Sequence, residues 1–114
     1  MLVIFNDSCS KCAYFAEAAG NRNWTAVRYL HGELTREMLD AIFERYDGPV
    51  SDLVRTREPT WKALDVGLDE LGPEALKDLI LEYPIILQRP IVLKKDRAIL
   101  ARVPERVWDT FADD

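Results

Sequence analysis

The sequence predicts an α/β protein with a mixed sheet of about four strands and a helical insert between the second and third strands. In the first part of the chain, an apolar run followed by a helix-favouring stretch occurs twice. Residues 50–83 carry only helical patterns, and two short apolar runs separated by a charged turn follow them. Strand–helix pairs predict parallel strands, whereas a short polar turn between strands predicts an antiparallel hairpin.

The first four elements are a strand, a helix, a strand and a helix. Leu2–Phe5 is a short apolar run bounded by polar residues, which is typical of a buried strand. A helix is expected from about residue 10 to 19, and the aromatic and β-branched run Trp24–Leu30 predicts the second strand. Apolar residues at helical spacing after Thr35 predict a helix that ends before Gly48. This order predicts two parallel strands joined by a right-handed crossover.

The remainder of the chain predicts the insert, the hairpin and a last helix. Within the insert, Pro59 and Pro73 stand where first-turn prolines are tolerated, so we expect two or three short helices there. Residues 90–93 and 98–101 predict antiparallel strands, and a helix with an apolar face follows them. The complete order of elements is thioredoxin-like.

Size and charge limit the function. The 114 residues predict one domain, residues 1–114, that can bury a core without a metal or a disulfide. A net charge of -5 disfavours direct contact with nucleic acid or with an anionic membrane. No apolar run approaches the roughly 20 residues that span a bilayer, and the amino terminus lacks the basic segment of a signal peptide. We therefore expect a cytoplasmic protein, and nothing in the sequence requires more than a monomer.

Both cysteines of the chain lie at the predicted strand-to-helix turn, in the segment Cys9-Ser10-Lys11-Cys12. At the start of a helix, unpaired backbone N–H groups and the positive end of the helix dipole favour a thiolate. The thiolate is the reactive form of cysteine, so this position predicts a nucleophilic Cys9, with Lys11 as a further positive charge. The alternative is that Cys9 and Cys12 are inert core residues. Their place at a strand-to-helix turn favours accessible thiols instead, because a reactive cysteine must be reached.

Two other interpretations of the cysteine pair are weaker. A zinc site requires further ligands, and the chain offers His31 as its sole histidine and no second cysteine pair. A structural disulfide between Cys9 and Cys12 would close too small a loop to hold a fold together. The sequence therefore predicts a functional dithiol in a reducing compartment and no metal.

Arg89 directly precedes Pro90, just before the predicted hairpin. In thioredoxin-like folds, a proline at this place forms a cis peptide and faces the cysteine turn. A planar guanidinium binds an oxyanion through two parallel N–H donors, whereas a neutral disulfide substrate needs no cation. Arg89 therefore indicates an oxyanion substrate, and the alternative is a surface arginine or one that pairs with a carboxylate.

Three segments resemble the arsenate reductases of the glutaredoxin-linked type and their Spx-like relatives. Asn6–Cys9 is similar to the Asn-Pro-x-Cys segment of that family. Leu53–Arg55, followed by Glu58–Pro59, is similar to its Leu-Leu-Arg…Pro segment. Residues 83–92 resemble its string His-Pro-x-Leu-x-x-Arg-Pro-Ile-Val, with Tyr83 in the place of the histidine. The resemblance covers nearly the whole chain.

The resemblance implies a mechanism. Cys9 matches the catalytic cysteine, which attacks the arsenic of arsenate and forms a thiol-linked adduct. A glutathione thiol, as co-substrate, would then reduce the adduct, and glutaredoxin would resolve the mixed disulfide, releasing arsenite. No bound cofactor is implied. Three arginines match the oxyanion site of that family: Arg55, Arg89 and Arg102. For the third position, Arg97 and Arg106 are close competitors of Arg102. Three further residues would support the site: Asn6, Lys11 and Pro90.

Two positions depart from the pattern of that family. Phe5 takes the place of a histidine that can help to ionise the thiol four residues later. Cys12 stands where those enzymes usually carry a hydroxyl, which allows an internal Cys9–Cys12 disulfide with thioredoxin or glutaredoxin as reductant. Two alternatives to an arsenate reductase follow: an Spx-like redox-sensing regulator that binds RNA polymerase, and a glutathione-linked thiol reductase of another substrate.

Overall fold

A four-stranded mixed sheet forms the centre of the computed structural model, which describes residues Met1–Asp113. Its strands are β1 (Leu2–Phe5), β2 (Thr25–Arg28), β3 (Ile91–Leu93) and β4 (Ala98–Leu100). Their order across the sheet is β2-β1-β3-β4. β1 is parallel to β2 and antiparallel to β3, and β4 is antiparallel to β3. The predicted fold class is confirmed, including the parallel first pair and the hairpin.

Helices cover the sheet and fill the segment between β2 and β3. They are α1 (Ser10–Ala19), α2 (Arg36–Arg45), α3 (Pro59–Leu64), α4 (Pro73–Glu82) and α5 (Pro104–Thr110). Four short 3-10 helices join them, at Tyr29–His31, Val50–Leu53, Leu68–Glu70 and Pro84–Ile86. The two prolines that predicted helix starts in the insert are the first residues of α3 and α4.

The second strand is shorter than the aromatic and β-branched run Trp24–Leu30 predicted. It ends at Arg28, and the chain then turns through a 3-10 helix into Gly32, whose φ of 82° lies in the left-handed region that favours glycine. Tyr29 is completely buried in this turn. Its aromatic ring is therefore explained by packing in the core, and not by strand pairing.

The sheet separates two hydrophobic clusters, because successive side chains of a strand point to opposite faces. On one face, which we call the sulfur face, α1 and α5 cover a cluster that includes Val3, Phe5, Cys9, Cys12, Phe15, Val92, Ile99, Val107 and Phe111. On the other, the insert face, α2 and the insert cover a cluster that includes Ile4, Tyr29, Leu39, Leu53, Ile80, Ile86 and Ile91. Residues from the two faces can meet at the end of the sheet, where β1 ends and β3 begins.

Ion pairs hold the insert to α2. Arg36 of α2 pairs with two acidic residues of α4, Glu74 and Asp78. The nearly buried Lys77 of α4 places its Nζ 2.9 Å from a carboxylate oxygen of Asp40 in α2. These contacts fix the helix that leads to the Arg89 segment. Across Met1–Asp113, no helix combines the length and the apolar character needed to cross a membrane.

Candidate active site

The turn after β1 is organised by its backbone. The N–H of Cys9 donates to the carbonyl of Asn6 at 3.1 Å, and the N–H of Ala13 donates to the carbonyl of Cys9 at 2.9 Å. The side-chain oxygen of Asn6 accepts a hydrogen bond from the N–H of Ser8 at 2.9 Å. Asn6 thus shapes the turn, and Cys9 is the residue that immediately precedes the first turn of α1.

Cys9 is a free thiol whose surroundings favour the thiolate. The residue is 8% exposed, and its burial opposes ionisation. The backbone N–H of Cys12, the charge of Arg89, the backbone N–H of Lys11 and the Cys12 thiol together outweigh burial, so the pKa of Cys9 is lowered. Lys11 thus contributes through its backbone. The two N–H groups are among those that the start of a helix leaves unpaired.

Cys12 has the opposite character. It is completely buried on the sulfur face and Cys9 is nearly buried beside it, so the expectation that both thiols are accessible is wrong. Its Sγ lies 3.5 Å from the backbone N–H of Asn6, which donates to it. Burial is the main cause that raises the pKa of Cys12 to about 12, and the neighbouring Cys9 adds to the rise. Cys12 is therefore a protonated thiol at neutral pH, beside a sulfur that ionises easily.

Phe5 packs within the sulfur face. Its ring centroid lies 5.6 Å from that of Trp24, and the residue is nearly buried. An apolar ring can neither accept nor donate a proton at Cys9. The ionisation of Cys9 therefore depends on backbone N–H groups, on Arg89 and on the Cys12 thiol.

Four arginines line one pocket of about 510 Å³ at the end of the sheet: Arg55, Arg57, Arg89 and Arg102. Arg102 donates a hydrogen bond to the carbonyl oxygen of Arg89, so the last two arginines are directly linked. Arg97 and Arg106 both donate to Asp109, and they line a separate pocket with it. Among the competing arginines, the structure therefore places Arg102 in the pocket.

The segments that carry Arg55 and Arg89 are joined through their backbones. The N–H of Arg55 donates to the carbonyl of Ile86 at 2.8 Å, and the N–H of Gln88 donates to the carbonyl of Leu53 at 2.8 Å. Between these bonds lies an isolated antiparallel bridge, and the side chain of Arg55 also donates to the carbonyl of Ile85 at 3.0 Å. The distance between the segments that carry Arg55 and Arg89 is thus set by main-chain hydrogen bonds.

Several residues of the pocket were not assigned a role from the sequence, among them Arg57, Glu58 and Gln88. A carboxylate oxygen of Glu58 lies 3.3 Å from Arg55, with a side chain only 13% exposed. Gln88 has a buried side-chain oxygen that no donor reaches within residues 1–113. Glu58 belongs to the second of the three segments that carry the resemblance. Gln88 stands at a position that the pattern of the third segment leaves unspecified, so the sequence did not indicate a role for it.

Arg89 connects the cysteine turn with the pocket. It lines the pocket and its charge acts on both cysteines, and the peptide that joins it to Pro90 is cis, as expected. A thiolate beside clustered guanidinium groups can attack an electrophile that carries negative oxygens, because the cations offset the repulsion. In the part of the chain that the structure describes, no three His, Cys, Asp or Glu side chains are grouped as a metal site requires.

The comparisons with known proteins agree with this arrangement. The model of the ArsC family matches residues 5–110. The chain belongs to the ArsC family. An arsenate reductase of Vibrio cholerae superposes with a TM-score of 0.82 at 27% identity, over 96% of this chain and 97% of that one. An arsenate reductase-related protein of Brucella melitensis is 16% identical and superposes with a TM-score of 0.66, over 97% of this chain and 93% of that one. It therefore shares the fold.

Curated relatives of this ArsC-family chain include transcriptional regulators. The global transcriptional regulator Spx of Streptococcus agalactiae is 36% identical over 101 residues, which cover 85% of this chain and 73% of that protein. The regulator Spx 2 of Bacillus anthracis is 26% identical over 102 residues, which cover 85% of this chain and 76% of that protein. The resemblance that three segments of the sequence indicated is thereby confirmed, and it extends to both kinds of relative.

Proposed function

We propose that this chain is a thiol-dependent oxyanion reductase, and that its substrate is arsenate. The observation that carries the proposal is the position of Arg89, which lines a pocket with Arg55 and Arg102 and also lowers the pKa of Cys9. One cation thus serves both the nucleophile and the anion. The Vibrio cholerae neighbour that is named an arsenate reductase supports the choice of substrate.

In the first step, the Cys9 thiolate attacks arsenic and forms a sulfur–arsenic bond. One arsenate oxygen leaves as water after protonation, and arsenic stays in its pentavalent state. Arsenate is a dianion near neutral pH, so attack by a thiolate requires cations that offset the repulsion. Arg55, Arg89 and Arg102 supply three guanidinium groups for this purpose, in a pocket partly shielded from water.

In the second step, a glutathione thiolate attacks the sulfur of Cys9. The sulfur–arsenic bond breaks and its electron pair passes to arsenic, which leaves as trivalent arsenite. Cys9 is left in a mixed disulfide with glutathione, and glutaredoxin reduces it. We place this reaction in the cytoplasm, where glutathione is abundant and thiols stay reduced, with the chain acting as a monomer.

Cys12 offers a second route for the same step. Its sulfur could take the place of glutathione, which would give a Cys9–Cys12 disulfide that thioredoxin or glutaredoxin reduces. The high pKa of Cys12 means that a proton must leave before it can attack. Cys12→Ser distinguishes the routes: activity with glutathione and glutaredoxin persists if glutathione resolves the adduct, and disappears if the internal disulfide is required.

A second candidate function is redox-sensing regulation through contact with RNA polymerase. It is supported by the curated relatives named Spx and by the pairing of a readily ionised Cys9 with a nearby thiol. In this case, oxidation to the Cys9–Cys12 disulfide would change the binding surface, and no small substrate would be needed. Capture of purified RNA polymerase by reduced and oxidised protein tests this candidate directly.

The decisive experiment measures arsenite release from arsenate by the purified protein. Glutathione and glutaredoxin with their recycling enzymes form one assay, and thioredoxin with its reductase forms the other. Turnover with glutaredoxin supports the proposed reaction, and turnover with thioredoxin alone supports the Cys12 route. If neither system gives arsenite while the oxidised protein binds polymerase, the proposed function is wrong and the regulator is favoured.

A further inference from the structure

Tyr29 carries a hydroxyl that the structure leaves without a partner. Its side chain is 0% exposed, and no hydrogen-bond partner of its oxygen exists within Met1–Asp113. Buried hydroxyls normally find partners, and a phenylalanine would fill this space without the unpaired group. The hydroxyl is therefore not explained by the packing of the core.

Tyr29 lies between the cysteine turn and the segment that carries Arg89. It directly follows Arg28, the last residue of β2, which pairs with Phe5 at the end of β1. The 3-10 helix that begins with Tyr29 packs against the 3-10 helix Pro84–Ile86, which leads to Arg89. Tyr29 is thus held close to both halves of the candidate site.

The charged groups around Tyr29 are those of the site itself. Burial raises the pKa of Tyr29, Arg89 and Arg55 oppose that rise, and Cys12 and Cys9 add to it. Arg89 exerts the largest of these charge effects. Because the pKa is raised overall, the phenol stays neutral at pH 7 and keeps oxygen lone pairs that can accept a hydrogen bond.

Arg89 holds the complementary group. Its Nε is buried, and among the described residues it has no acceptor. A guanidinium group can only donate, whereas a phenol oxygen can accept. A bidentate contact with an oxyanion uses two parallel N–H groups, so the two Nη groups of Arg89 can face the pocket while Nε faces the core.

We propose that Tyr29 is a positioning residue for Arg89. When an oxyanion occupies the arginine pocket, a small movement of Arg89 brings its Nε–H to the Tyr29 oxygen, which accepts a hydrogen bond. This bond fixes the plane of the guanidinium group and leaves both Nη groups for the anion. The inference rests on the proposed function, because it requires a tetrahedral oxyanion in this pocket.

The test observes the Nε–H group of Arg89 by nuclear magnetic resonance. Nitrogen-15-labelled protein with Cys9→Ser, which cannot form the adduct, is titrated with arsenate, and Arg89→Lys identifies the signal by its loss. With Tyr29 present, we expect the Nε–H proton to move downfield and its exchange with water to slow by about tenfold or more when arsenate binds. With Tyr29→Phe, the signal should keep its original position and exchange rate. Equal protection in both proteins would overturn the inference.

The affinity for arsenate gives an independent measurement. Tyr29→Phe should weaken arsenate binding about threefold to tenfold by calorimetry, the usual effect of losing one hydrogen bond. Its thermal midpoint without arsenate should stay equal or rise, because no existing bond is lost. Tyr46→Phe is the matched control: it removes a hydroxyl that donates to Asp52 at 2.6 Å, so it should lower the thermal midpoint and leave arsenate affinity unchanged.

The outcomes separate this inference from the proposed function. If arsenate binds and Tyr29→Phe has both effects but arsenite is never released, the proposed reaction is wrong and the role of Tyr29 stands. If arsenite is released and Tyr29→Phe binds arsenate like the wild type, the role of Tyr29 is wrong and the reaction stands. If arsenate, phosphate and sulfate all fail to bind, both are overturned.

Discussion

The two faces of the sheet carry different halves of the candidate site. The sulfur face holds both cysteines among apolar side chains, and the thiolate of Cys9 is favoured by the backbone N–H groups of its own turn together with Arg89. The insert face holds a mostly aliphatic cluster that includes Leu53, and it positions Arg55 through packing and main-chain bonds. The nucleophile therefore depends on its own turn and on one distant residue, Arg89, whereas the anion pocket depends on long-range packing throughout. The two halves should respond differently to substitution.

The largest effect is expected on the sulfur face. Cys9→Ser should reduce arsenite release by at least about a thousandfold, because no other side chain supplies a comparable nucleophile at this position. Ser10→Ala is the matched control in the same turn and should keep most of the activity. Both variants should retain the far-ultraviolet circular dichroism of the wild type. Substantial activity in Cys9→Ser would show that Cys9 on the sulfur face is not the nucleophile of the reaction.

On the insert face, Leu53→Ala should act through stability. Leu53 is completely buried, so the substitution should lower the free energy of unfolding by about 2–5 kcal/mol in urea denaturation. Val50, in the same 3-10 helix, is 39% exposed, and Val50→Ala should change stability by less than about 0.5 kcal/mol. An equal effect of the two substitutions would show that the insert is not held by this packing.

Arg89→Lys tests the residue that both halves share. Lysine keeps the charge and loses the planar pair of donors, so arsenate binding should weaken about tenfold to a hundredfold by calorimetry. Arg97→Lys changes an arginine that lines the separate pocket with Asp109, and should leave the affinity unchanged. Unchanged affinity in Arg89→Lys would place the anion somewhere else.

The smallest effect concerns the ionisation of Cys9. The rate of alkylation of Cys9 by iodoacetamide should rise with pH and then level off. Because the pKa of Cys9 is lowered, the rate should reach half its maximum at a pH below the pKa of an ordinary cysteine. Arg89→Gln removes a positive charge that favours the thiolate, so it should move this midpoint to higher pH. Cys12 should react far more slowly, since it is buried and protonated. An unmoved midpoint would mean that backbone N–H groups alone determine the ionisation.

Local signals explain why most of the fold could be predicted from the sequence. Apolar runs with polar boundaries identified β1 and the hairpin, and first-turn prolines marked α3 and α4. The prediction of β2 was too long, because Tyr29 has the aromatic character of a strand residue but is buried in a turn. A propensity scale does not distinguish a ring that packs in the core from one that belongs to a strand.

The candidate site was predictable in part. The position of Cys9 before α1 followed from the spacing of the turn, and the structure groups the three arginines that the resemblance indicated. The burial of Cys12 and the contact of Glu58 with Arg55 did not follow, because both depend on how distant segments pack. For the same reason, the sequence assigned Tyr29 to the second strand and gave no sign of its unpaired hydroxyl.

The pair of backbone bonds between residues 53–55 and 86–88 also has a dynamic consequence. Both bonds belong to one short ladder, so a local opening that breaks one of them should break the other. The amide protons of Arg55 and Gln88 should then exchange with solvent as one cooperative unit. Arg55 and Arg89 would thus be lost from the pocket or restored to it together, so a partly opened molecule would lose two of its anion-binding cations in a single step.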